Sequence, residues 1–237
     1  MVGKNAIILC SGGLDSVTCG YYVKSKLKYD KIVFLFCDYN QRVLKQEEQC
    51  LMKIVEKFKA NLIKVDIKWL GNISTSHINK SESKFPETTE DMIKDREKEK
   101  GQIINWWVPC RNTVLLSIAL AHAEGFDLKG EGKFDIFVGF DGNSVPYKDA
   151  RPHFVGMMNQ LIEQCTLKGN YKIYSPFIDK DKDEIIKLGQ ELNVPFELTY
   201  SCYIGGEDLE HCGKCSNCMY RKQAFYWAGI KDPTSYI

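Results

Sequence analysis

A chain of 237 residues, 27% charged and 44% hydrophobic, is long enough for one sizeable α/β core and has none of the bias of a disordered protein. Its 32 basic and 31 acidic side chains leave a formal charge of +1, so no overall field recruits nucleic acid or an anionic membrane, and any nucleotide must be held by a local site. No apolar run is long enough to span a bilayer, and the opening MVGKNAIILC lacks the length and cleavage pattern of a signal peptide. The expected compartment is the cytosol, where ten cysteines serve as thiols and metal ligands rather than disulfides.

In chain order, residues 5–10 (NAIILC) read as a buried strand, Gly12-Gly13 as a tight loop, and 14–27 as a helix with Leu14, Val17, Tyr21, Tyr22 and Leu27 at helical spacing. Ile32 to Phe36 predicts a second strand, Glu47 to Phe58 a helix, and Asn61 to Asp66 a third strand. Residues 68–105, rich in Ser, Thr, Asn and Lys and carrying the run KDREKEK, break the rhythm and read as an excursion or lid. A helix from Thr113 to Glu124, capped by Asn112, follows, then a strand over Asp135 to Gly139 and a helix over Arg151 to Cys165. Lys172 to Tyr174 is a short strand, and Asp179 is placed to cap a helix from Lys182 to Leu192. This alternation predicts a parallel sheet with helices on both faces, residues 1–199, followed by a small metal-binding segment, 200–237.

Ser11-Gly12-Gly13-Leu14-Asp15-Ser16 falls where a strand ends and a helix begins. Paired glycines let the backbone approach an anion, and the first helical amides point outward with the positive end of the dipole, so the loop suits phosphate. It is not a Walker loop, because no Gly-Lys-Ser/Thr follows, nor a dinucleotide fingerprint, because the three-glycine spacing is missing. Ser11 and Ser16 can donate to phosphate oxygens, and Asp15 suits Mg²⁺. The bland alternative is a strand-to-helix turn with Asp15 as a helix-start residue.

Cys212, Cys215 and Cys218, with Cys202 upstream, supply four soft ligands in the pattern C-x₉-C-x₂-C-x₂-C. Four thiolates fit a closed tetrahedral zinc of structural type; an iron–sulfur cluster uses the same ligands, and the adjacent His211 is a possible substitute. His77, His122 and His153 show no ligand spacing. Trp106-Trp107 can stack on a purine or serve as core.

The hexapeptide resembles the SGGxDS signature of the PP-loop ATP pyrophosphatases, which cleave ATP between the α and β phosphates. Further stretches, Asp38-Tyr39-Asn40-Gln41-Arg42, Val108-Pro109-Cys110-Arg111-Asn112, Tyr147-x-Asp149-x-Arg151 and Thr199-Tyr200-Ser201-Cys202-Tyr203 leading into the cysteines, are similar in order to the 7-cyano-7-deazaguanine synthases of the queuosine pathway. That resemblance implies an ATP-dependent carbon–nitrogen ligase that adenylylates 7-carboxy-7-deazaguanine, admits ammonia to form an amide, and activates the amide with a second ATP to leave a nitrile. It implies ATP contacts from Cys10, Ser11, Gly12, Gly13, Leu14, Asp15 and Ser16, with Asp15, Ser16 and Arg111 in catalysis. Arg111, Tyr147, Asp149 and Arg151 would hold the substrate, Mg²⁺ would assist, zinc would sit on the four cysteines, and the protein would be a homodimer that contacts no nucleic acid. Two departures, Asn143 where the family pattern is acidic and an insertion KGEGK at 129–133, are expected near the purine pocket. They leave open an enzyme that stops at the amide or joins the activated carboxylate to a protein amine. A sulfur-transferring relative that binds RNA would need a basic stripe that is missing, and a nucleotide sensor without activity would not need an intact loop.

Overall fold

The structure, a computed structural model, describes residues 3–80, 103–141, 147–205 and 209–237. The run KDREKEK and Asn143 lie outside the described residues.

Five strands, β1 (Asn5–Leu9), β2 (Lys31–Asp38), β3 (Asn61–Asp66), β4 (Phe134–Val138) and β5 (Ile173–Tyr174), form one parallel sheet in the order β3-β2-β1-β4-β5. The three central strands are apolar at nearly every position because both of their faces are covered. Side chains alternate between the two layers. Ala6, Ile8, Phe34 and Phe36 enter one core with α1 (Leu14–Ser25), α2 (Leu44–Phe58), α6 (Lys182–Glu191) and α7 (Ser216–Ala228). Ile7, Leu9, Val33 and Leu35 enter the other, beneath α4 (Arg111–Leu128) and α5 (Pro152–Cys165). The edge strand β3 has a half-exposed pattern, and its Lys64 pairs with Glu48 at the surface.

The described part of the 68–105 excursion opens with a short helix, α3 (Lys68–Asn72). It folds back on the end of β2, where the Asn79 amide donates to the Tyr39 carbonyl at 2.8 Å and to that of Asn40 at 3.2 Å. Ala224 and Phe225 of α7 lie in the first core, so the C-terminal segment is packed into the sheet domain rather than hung beside it.

Three expectations need correction. Asn112 does not cap α4. The N-cap is Cys110 in a left-handed conformation (φ 51°), and Asn112 sits inside the first turn, where its side-chain amide donates to the Asp149 carbonyl at 3.0 Å. The cap of α6 is Asp181, not Asp179, in a capping box closed by Glu184, whose carboxylate accepts from the Asp181 N–H at 2.8 Å. KGEGK lies far from any pocket at the strand C-termini. It runs from the end of α4 into the start of β4, through Gly130 and Gly132 at positive φ, and Glu131 pairs with Lys31 at the start of β2.

Candidate active site

Beyond β1 the chain turns to α1 on one face, and β4 lies on the other side of β1 with its helices on the opposite face. The carboxyl ends of β1 and β4 therefore diverge at a switch point, where open α/β sheets place their ligands. A cavity of about 310 Å³ opens there, bounded by the ends of β1, β2 and β4 and closed by residues 200–203 and α7.

The glycine loop forms one wall. Gly12 has φ +78°, and a Cβ on it would stand 2.8 Å from the Glu47 carbonyl of α2, so both the torsion and the space require glycine. Gly139, at the end of β4, passes so near α1 that a Cβ would be 2.8 Å from the Asp15 carbonyl. Gly13 is the N-cap of α1 and supplies no side-chain cap, which leaves first-turn amides for an anion. Within the loop the Ser16 hydroxyl donates to the Gly13 carbonyl at 3.0 Å. The Cys10 thiol donates to Ser16 Oγ at 3.4 Å, and burial pushes that thiol up to about 11, so it stays protonated and is no nucleophile.

Asp15 meets a cation from across the molecule: Lys182 Nζ lies 2.6 Å from Asp15 Oδ2 and 3.1 Å from Asp141 Oδ2. Burial opposes the charge on Lys182, but the Asp141 and Asp15 carboxylates outweigh it and hold its pKa above the ordinary lysine value. Asp15 Oδ1 is buried with no hydrogen-bond partner among the described residues, which leaves it able to accept from a ligand or hold a cation.

On the opposite wall, Arg111 begins α4. Its guanidinium carbon sits 5.8 Å from the centre of the Tyr39 ring, and Nε donates to Asn112 Oδ1 at 3.4 Å. Burial works against this charge, yet Tyr39, Tyr203, Tyr147 and Asp149 surround it with negative potential, so the guanidinium stays charged. Behind it, Trp106 stacks on Tyr203 with ring centres 5.0 Å apart and is core, not cavity wall.

The third wall carries Glu47. Its Oε2 accepts from the Gln41 side-chain amide at 2.9 Å, while Gln41 Oε1 accepts from the Tyr39 N–H at 2.9 Å and Gln41 Nε2 donates to the Cys37 carbonyl at 3.2 Å. Burial is the main force on Glu47 and lifts its carboxyl to about 7 against the opposing pull of Gln41 and Arg111.

The cysteine centre abuts the floor. The four sulfurs of Cys202, Cys212, Cys215 and Cys218 lie within 4.8 Å of one another and are buried, the only such cluster among the described residues. A tetrahedral ion with sulfur at ~2.3 Å puts its ligands roughly 3.8 Å apart, which this cluster accommodates. Backbone amides support the thiolates: Ile204 and Cys212 donate to Cys202 Sγ at 3.4 Å, Lys214 to Cys212 Sγ at 3.4 Å, and Cys215 to the same sulfur at 3.3 Å. His211 is not a ligand; its Nε2 accepts from the Ser201 N–H at 3.0 Å, and burial drives its pKa down to about 4. From this centre the Tyr200 N–H reaches the Gly12 carbonyl at 3.0 Å. Arg221, 1% exposed, ties the same stretch down by donating to Thr199 Oγ1 at 2.9 Å, Ser201 Oγ at 3.0 Å, the Phe196 carbonyl at 3.1 Å and Asp232 Oδ1 at 3.3 Å.

A family model described as "Queuosine biosynthesis protein QueC" matches residues 5–229, from β1 to the end of α7. The chain belongs to the QueC family. It is 36% identical to the 7-cyano-7-deazaguanine synthase of Methanobrevibacter smithii over 100% of this chain and 99% of that protein. It is 38% identical to the protein of the same name from Methanococcus maripaludis strain C5 over 98% of each. Among solved structures, the U34-tRNA thiolase NcsA from Methanococcus maripaludis aligns with a TM-score of 0.47 and 13% identity over 82% of this chain and 57% of that one, a likeness too distant to carry an argument.

In this QueC-family chain the cavity brings together Cys10, Ser11, Gly13, Leu14, Asp15 and Ser16 of the loop with Arg111 and Tyr147. Gly12 stands behind the wall and shapes it. Asp149 and Arg151 lie off the wall: Asp149 reaches the cavity through its carbonyl, which accepts from Asn112, and through its field on Arg111, burial raising its own pKa, and Arg151 is the N-cap residue of α5 without a side-chain cap. Glu47, Lys182 and Asp141 line the cavity without having been singled out. Gln41 and Arg221 stood within the similar stretches but had no role assigned. Lys182 is 167 positions from Asp15, and no local pattern announces such a contact.

Proposed function

We propose that this protein converts 7-carboxy-7-deazaguanine and ammonia to 7-cyano-7-deazaguanine with two ATP, through an adenylylated carboxylate and an amide. The observation that carries the reading is a half-buried permanent cation, Arg111, facing an uncapped helix start and glycine loop across one cavity at the sheet's switch point. The loop and the α1 amides hold the ATP phosphates, with Ser11 and Ser16 as donors. Lys182, held charged, meets the negative charge that develops as pyrophosphate leaves. Arg111 keeps the acceptor carboxylate oriented toward the α-phosphorus, so the bond forms from a fixed approach. Tyr147 gives an aromatic surface for the deazapurine, and Asp149 and Arg151 steady the turn that presents it.

The donor set at Asp15 fits Mg²⁺: its Oδ1 is buried and unpartnered, and a carboxylate oxygen is the ligand that cation prefers. Bound Mg²⁺ would neutralise phosphate charge. Four buried thiolates with amide support fit zinc held for structure, with no ligand position left for catalysis. Residues 1–199 thus carry the nucleotide chemistry and 200–237 the metal-braced floor.

The deciding experiment is mass spectrometry of products after incubation with ATP, Mg²⁺, ammonia and 7-carboxy-7-deazaguanine, with Asp15→Ala as control. Nitrile, AMP and pyrophosphate from the wild type and none from the variant are expected. A product that stops at the amide, or ATP use only when a protein amine is supplied, would replace this reading with an amide-forming or protein-joining one.

A further inference from the structure

Glu47 is a cavity carboxyl that neither ATP nor the deazapurine requires. Set in the first turn of α2, it faces the loop on one side and Arg111 on the other, and Gln41 occupies only its Oε2; among the described residues no hydrogen bond to Oε1 is made. Gln41 is itself fixed at three points, so the carboxylate is aimed rather than loose. If Arg111 holds the acceptor carboxylate, its acyl carbon lies in the space that Glu47 also faces.

We propose that Glu47 is the proton acceptor for the nitrogen nucleophile in the amide-forming step, a reading that rests on the proposed function above. The lone pair of ammonia forms the C–N bond to the acyl carbon of the adenylylated carboxylate. The C–O bond to AMP breaks, and AMP leaves as an anion with the electron pair. The surplus proton on nitrogen passes to the Glu47 carboxylate, which later releases it to water. The cavity's other carboxylates, Asp15 and Asp141, are both engaged by Lys182, Arg111 has no acceptor to offer, and the buried Cys10 thiol is not ionised. An acceptor works best when its pKa is near the working pH; burial has brought Glu47 to about 7. The groups facing it are Arg111 from α4, Tyr39 and Gln41 after β2, Cys10 after β1 and Cys50 one turn along α2, of which only Arg111 is charged at neutral pH.

The test compares two half-reactions of Glu47→Gln, which preserves size and an acceptor for Gln41. Carboxylate-dependent pyrophosphate–ATP exchange without ammonia should stay within about threefold of wild type, while amide formation should fall about 100-fold, the low end of general-base effects. The acid limb near pH 7 of the wild-type amide rate should vanish in the variant. Hydroxylamine, which is neutral at pH 7 and sheds its proton readily, should restore product to Glu47→Gln as hydroxamate. Glu47→Asp should keep exchange and form amide at an intermediate rate, which covers the case of a poorly folded glutamine variant. Amide formation at the wild-type rate in Glu47→Gln, or exchange lost in proportion to amide, would overturn the assignment. A wild-type protein without carboxylate-dependent exchange would instead sink the underlying function, and this inference with it.

Discussion

Lys182 stands between Asp15 and Asp141, one partly buried cation shared by two carboxylates. Removing the cation leaves two acids facing each other, so Lys182→Met should cost about 3 kcal/mol, the range for breaking a buried pair from one side, as read by urea denaturation. A loss below about 1 kcal/mol would show that the carboxylates are solvated enough not to need it. Glu47 adds a pH dependence of its own. Its folded pKa of about 7 is raised above that of an unfolded glutamate, so its contribution is fully present below the unfolded value and is lost as pH rises through 7. The melting temperature of Glu47→Gln relative to wild type should therefore improve between pH 5 and pH 8. A difference independent of pH would mean that the carboxyl titrates normally.

At the scale of elements, β1, the glycine loop and α1 were legible because strand, turn and helix are contiguous and each has its own signal. The cysteine cluster was legible for the same reason, since Cys212, Cys215 and Cys218 fall close together in the chain. What binds those two units together was not. The Tyr200 N–H to Gly12 contact, the four acceptors around Arg221 and the 167-residue reach of Lys182 to Asp15 join segments remote in sequence, and periodicity carries no information about them. Cap placement failed for a related reason. Asp179 and Asp181 are equivalent as residue types, and only Asp181 has a glutamate three positions on to close the box. The link between metal centre and loop has a measurable result: stripping metal with a chelator should speed amide exchange in residues 10–16 as well as 199–203, and should weaken ATP binding. Faster exchange confined to the cysteine segment would show that the loop holds its shape unaided.

For the molecule as a whole, the parallel sheet separates two ends with different duties. Carboxyl ends of β1, β2 and β4 carry the cavity, and the amino ends carry the glycine-rich turn at 129–133 and its exposed Lys31–Glu131 pair, 3.4 Å apart. The sequence alone placed that turn near the pocket, although a turn that immediately precedes a strand of a parallel sheet falls at the end opposite the carboxyl-end cavity. Glu131→Gln should consequently change kcat/KM less than twofold and stability by less than about 1 kcal/mol, as for other exposed pairs. A tenfold kinetic effect would mean that the far end communicates with the site.

The carbonyl of Gly12 waits for an amide that lies nearly the whole chain away. During synthesis on a ribosome the loop emerges well before Tyr200, Arg221 and the last cysteines. The nascent protein thus holds an open-sided glycine loop until the cysteine segment has appeared and closed beneath it. On the function proposed above, closing the cysteine cluster and completing the nucleotide site become one checkpoint, so that a product lacking the 200–221 segment is unfit to spend ATP.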